Sequence, residues 1–96
     1  MAHEPEREVV YKDPAENLDY SMDWGENWLA PGETITTSSW TASPGLTLGV
    51  TSDTDSTATA WVSGGTAGQP YLLTNTIVTS AGRTAVNSMI IKVEKK

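Results

Sequence analysis

The chain has 96 residues, enough for one small domain with a single core. Six Lys and Arg against twelve Asp and Glu give a net charge of −6, which argues against nucleic acid and anionic membrane as partners, since both require a basic face. The absence of cysteine excludes disulfides, thiolate nucleophiles and Cys-ligated zinc, and apolar runs such as Met89-Ile90-Ile91 are too short to span a bilayer.

Met1 to Glu8 is polar and acidic, with neither a basic n-region nor an apolar h-region, so no signal peptide is expected. With Val9-Val10-Tyr11 it makes a flexible N-terminal arm, residues 1–11, ahead of a domain spanning 12–96. Lys12-Asp13-Pro14 is a turn. Leu18 to Trp24 alternates strictly, predicting a strand with Leu18, Tyr20, Met22 and Trp24 inward and Asp19, Ser21 and Asp23 in water. Gly25 to Gly32 is a loop or short turn closed by Pro31-Gly32. Glu33 to Trp40 is the second strand. Ile35 and Trp40 differ in parity, so both reach the core only across a bulge, expected at Ser38-Ser39.

Beyond the Pro44-Gly45 turn, Leu46, Leu48 and Val50 form the inward side of the next strand. Ser52 to Ser56 is a turn cluster, Thr57 to Val62 a strand, and Ser63 to Gly68 a Gly-rich connection. Tyr71 to Thr79 and Thr84 to Val93 are the longest strands, joined by the hairpin Ser80-Ala81-Gly82-Arg83. Residues 34–82 hold only two charged side chains, Asp53 and Asp55, and Thr, Val and Ile alternate there with small polar residues. About six or seven short strands without a helical period predict an all-β fold, a single immunoglobulin-like β-sandwich with an extended N-terminal arm. Tyr71, after Gly68-Gln69-Pro70, fits a tyrosine corner that bonds back to the preceding loop. Trp40 or Trp61 is expected to fill the core where antibody domains carry a disulfide.

Catalytic chemistry has little support. The single histidine, His3, lies in the arm, where no fixed geometry for a general base exists. No His or activating Lys accompanies the Ser and Thr residues in a motif, and Asp19 and Asp23 read as a solvated strand face. Asp53-Thr54-Asp55 has D-x-D spacing but no downstream Glu, so an Asx turn is favoured over a calcium site. Gly64-Gly65-Thr66-Ala67-Gly68 lacks the Lys of a phosphate loop. No enzyme activity, cofactor or metal is expected. Trp24 and Trp28 either plug one end of the sandwich or anchor a partner. Val9, Val10 and Tyr11 are either part of a disordered end or a strand added to a neighbour's sheet. The candidate partner-binding residues are therefore Val9, Val10, Tyr11, Trp24 and Trp28.

The string Lys12-Asp13-Pro14-Ala15-Glu16-Asn17-Leu18-Asp19-Tyr20, with Asp23-Trp24 and Trp28-Leu29, resembles the opening of the tailed-bacteriophage fibre–tail adaptor family. Thr37-Ser38-Ser39-Trp40-Thr41, the segment Ala60-Trp61-Val62-Ser63-Gly64-Gly65-Thr66-Ala67-Gly68, and Thr76 through Arg83-Thr84 extend the resemblance over residues 12–93. It implies an Ig-like virion structural protein, a tail-associated adaptor docking tail fibres to the tail or head–tail connector, without catalysis. The partners implied are tail tube, nozzle or connector, and tail fibre, met by multiple copies arranged by tail symmetry. The implied location is the tail region of the virion, after synthesis in the host cytoplasm. A capsid decoration protein and a carbohydrate-binding module using Trp28 and nearby acids are the competing readings.

Overall fold

The computed structural model describes residues 8–96. Seven strands and one helical turn follow in order: β1 (Val9–Lys12), β2 (Leu18–Asp23), α1 (Trp24–Asn27), β3 (Ile35–Ala42), β4 (Leu46–Asp53), β5 (Thr57–Gly64), β6 (Pro70–Thr79) and β7 (Thr84–Val93). They form two packed sheets, ordered β1-β7-β6-β3 and β2-β5-β4. Every pairing is antiparallel except β1 with β7, which is parallel. The fold is all-β.

Side-chain period explains which residues meet between the sheets. On β5, Ala58, Ala60 and Val62 are fully buried, so the alternate residue Trp61 points outward and is 41% exposed. Leu73 and Ile77 on β6, and Met89, Ile91 and Val93 on β7, complete the core from the opposite sheet. Tyr71 makes the expected corner: its hydroxyl accepts a hydrogen bond from the Thr66 N–H at 2.8 Å. Two glycines at positive φ let the backbone close on that ring. A Cβ on Gly45 would stand 2.8 Å from Tyr71 Cε1, and one on Gly65 would stand 2.6 Å from Val93 Cγ2.

The structure corrects several local expectations. Of the two tryptophans assigned to the core, Trp40 is half-buried and packs against it, whereas parity turns Trp61 out. The buried indole is Trp24, only 4% exposed. It does not continue β2 but opens α1, because Asp23 caps the turn by accepting the Glu26 N–H at 3.1 Å. The bulge in β3 lies at Thr36 rather than Ser38-Ser39, where the register with β6 shifts between Ile35 and Thr37. A second shift between Leu48 and Thr51 leaves Val50 74% exposed instead of inward. Val9, Val10 and Tyr11, assigned to the arm, are part of β1.

Replacing Trp24 by Ala is expected to cost about 3–5 kcal/mol, against about 1 kcal/mol or less for Trp61→Ala. Urea unfolding of the two variants checks this order, and equal losses would contradict the assignment of Trp24 to the core.

Candidate partner-binding surfaces

The five sequence-predicted residues fall into two groups at opposite ends of the sandwich. Trp28 sits against Arg83 of the β6–β7 hairpin, with Trp24 behind it at the level of Asn75 and Asn87, whereas Val9, Val10 and Tyr11 lie along Ile90–Lys92, near the far end of β7. At ~3.3 Å per residue, β7 separates the two ends by roughly 25 Å.

The first end is built outward from the core. The Trp24 indole N–H donates to Asn75 Oδ1 at 2.8 Å, and Asn75 Nδ2 donates to Ser38 Oγ and the Ser39 carbonyl, each at 2.9 Å. Trp28 meets Trp24 edge to face, with ring centroids 5.6 Å apart. Arg83 covers the half-buried Trp28, its Cζ 3.8 Å from the ring centroid. The guanidinium is itself held by Glu33: Nε donates to Oε2 at 2.9 Å and a terminal nitrogen donates to Oε1. Thr79 Oγ1 donates to Glu33 Oε2 at 2.5 Å, and the Ala30 N–H to Oε1 at 3.0 Å. The Glu33 side chain is 4% exposed while that of Arg83 is 43% exposed. Arg83, Thr79 and the Ala30 N–H, in that order, hold the Glu33 carboxyl down to about 2, and Glu33 in turn raises Arg83. An open groove beside the pair is lined by Ala30, Pro31, Gly32, Ser80 and Ala81.

At the second end Val9 and Tyr11 are 43% and 52% exposed, while Val10 is half-buried against the core. Beneath them lies a fully buried lysine. Lys12 Nζ donates to the carbonyls of Gly64 at 2.6 Å and Asp13 at 2.9 Å. Asp13 accepts the N–H groups of Ala15 and Lys96, at 2.8 and 2.7 Å, and Glu16 accepts the Asp13 N–H and pairs with the Lys96 ammonium. The Lys96 N–H chiefly lowers the Asp13 carboxyl, and the Lys96 ammonium chiefly lowers Glu16.

The structure thus brings Trp24 and Trp28 into contact but buries Trp24, so only Trp28 and its Arg83 cover reach the surface. Sequence reasoning missed Arg83, Glu33 and Lys12. The Asp23 to Glu26 spacing at the head of α1 was the available signal for the first end; nothing local signals that a lysine in β1 is buried. The D-x-D turn is closed by Thr54, whose Oγ1 accepts the N–H groups of Ser56 and Thr57 at 3.3 and 3.1 Å, rather than by an Asp. Among the described residues no group of three His, Asp or Glu stands together to hold a metal ion. His3 and most of the predicted arm lie outside the described residues.

The family described as "Podophage GP4 fiber-tail adaptor protein gp77" matches residues 12–92 of the chain. No curated protein matches it.

Glu33 titrates near 2 in the folded chain, below its ordinary 4.5, so its pairing stabilises the fold above about pH 4.5 and is lost as pH falls toward about 2. Denaturation midpoints should therefore drop more steeply across that window in the wild type than in Glu33→Gln. Parallel curves would refute the pairing.

Proposed function

We propose that this chain, which belongs to the podophage fibre–tail adaptor family, is a virion structural protein of the tail that docks fibres to the tail or head–tail connector. The family match over residues 12–92 carries this reading. It supports a location in the tail of the particle, following synthesis in the host cytoplasm, and contacts with other tail proteins. The chain acts by holding neighbours together rather than by catalysis.

The geometry supports the same role. An adaptor needs a stiff body with contact surfaces set apart, and here two such surfaces stand roughly 25 Å from one another across β7. One is the Trp28–Arg83 end; the other is the β1 edge with Val9, Val10 and Tyr11. They meet different neighbours, which include further copies of the chain arranged by tail symmetry. Trp24 contributes by fixing Trp28 from below. Modest interfaces suffice, because attachments repeated around a tail reinforce one another through effective concentration. The strand orders β2-β5-β4 and β1-β7-β6-β3 support an immunoglobulin-like sandwich, with any arm confined to the residues before β1.

Cryo-electron microscopy of particles bearing a labelled copy tests the reading. Label at the junction of tail and fibre is expected; label over the head shell would instead indicate capsid decoration. Trp28→Ser, which leaves Trp24 and both sheets in place, should lower incorporation into particles. Undiminished incorporation would remove the Trp28 end from the contact.

A further inference from the structure

Each sheet ends in two edge strands: β1 and β3 in one, β2 and β4 in the other. Exposed edges invite pairing with other chains, and proteins blunt them with bulges, outward charges or shortness, the last of which is what limits the four-residue β1. Three of these edges are blunted. β3 and β4 carry the bulges at Thr36 and near Val50, and β2 carries Asp19 and Asp23 on its outer face. The fourth, β1, runs in unbroken register with β7 and shows no carboxylate along its outer row, which is Val9 and Tyr11.

Its backbone is also set for a partner. The carbonyls of Glu8 and Lys12 accept from the N–H groups of Ile90 and Glu94, each at 2.8 Å. In a parallel ladder alternate residues face the neighbouring strand. Glu8, Val10 and Lys12 therefore face β7, and the N–H and C=O groups of Val9 and Tyr11 point to the open edge.

We infer that this edge pairs with the same edge of a second copy, antiparallel and centred on Val10. The register is self-complementary. Val9 exchanges main-chain hydrogen bonds with the partner's Tyr11, and Tyr11 with the partner's Val9, so the groups that face the open edge pair with one another. On the outer face these are aromatic against β-branched pairs, which are favourable across strands. On the inner face Val10 meets the partner's Val10. For a chain of net charge −6, an edge without outward carboxylates is where a second copy meets least repulsion. The outcome is one continuous sheet running through both copies, with a Trp28 end projecting from each.

This names the occupant of the β1 surface proposed above and rests on that surface being a contact, not on where in the particle it lies. A four-residue edge buries less than the roughly 1,200 Å² of a stable complex, so association of the isolated protein is weak. Sedimentation of the full chain at rising concentration, up to about 1 mM, should show the average mass climbing toward twice that of the monomer, while exchange of the Val9 and Tyr11 amides slows. Tyr11→Pro removes an N–H that β7 does not use, and Val9→Lys places a charge on the edge. Each should raise the dissociation constant at least tenfold, whereas Val86→Lys, on an exposed face of β7, should leave it unchanged. A chain that stays monomeric throughout, or association that survives Val9→Lys with the variant shown folded by its tryptophan circular dichroism, overturns the inference. Incorporation into particles is scored separately, so loss of self-pairing with normal incorporation leaves the adaptor role standing.

Discussion

The hydrogen bond from the Trp24 indole to Asn75, at 2.8 Å and fully buried, ties three parts of the chain that are distant in sequence. Trp24 brings α1, Asn75 belongs to β6, and through its amide Asn75 also holds Ser38 and Ser39 of β3. A buried amide left without partners costs about 1–3 kcal/mol, so the arrangement admits little slack. The indole is thereby fixed in rotation as well as depth. Trp28 is set edge to face with it, Arg83 against Trp28, and Glu33 against Arg83. Order passes from the core to the surface along this series, which is how a loop containing Gly25, Pro31 and Gly32 presents a fixed face.

Most strands were legible in the sequence because alternation is a local property. Leu18 to Asp23, Tyr71 to Thr79 and Thr84 to Val93 read directly as half-buried strands. Parity alone, applied to Ala58, Ala60 and Val62, would also have turned Trp61 outward; expecting a large side chain to fill the core obscured it. A bulge between Ile35 and Trp40 was legible from their opposite parity, but its place at Thr36 and the second bulge near Val50 were not, since each is set by how one strand meets another. The same holds for β1. Four residues after a polar stretch carry no pattern of their own, and only the parallel pairing with β7 makes them a strand. At the candidate site, Trp24 and Trp28 stood out by composition, but which of them faces solvent depended on Asn75, half the chain away.

Lys12 shows why the segments that carry the family resemblance belong together. The Lys12-Asp13-Pro14 turn and the Gly64-Gly65 pair are separated by some fifty residues, yet the lysine ammonium reaches the Gly64 carbonyl from within the sandwich. Asp13 and Glu16 meanwhile gather the backbone and side chain of Lys96. Between the two ends the outward sheet surfaces are rich in threonine, serine and valine, with Asp19 and Asp23 on the face of β2. The ends differ in kind: one is an aromatic ring under a clamped guanidinium, the other a bare strand edge over a buried ammonium.

The burial of Lys12 and the clamping of Arg83 have a practical side. Between these two residues, positions 13–82, the chain contains no lysine or arginine at all. Of the two bounding cleavage sites Lys12 is enclosed, while Arg83 lies on the partly exposed hairpin and is where trypsin is expected to nick the folded domain first. Even after denaturation, complete tryptic digestion releases the domain mainly as a single very large peptide. Peptide mass spectrometry of whole particles therefore undercounts this component unless a protease that cuts at aromatic or acidic residues replaces trypsin.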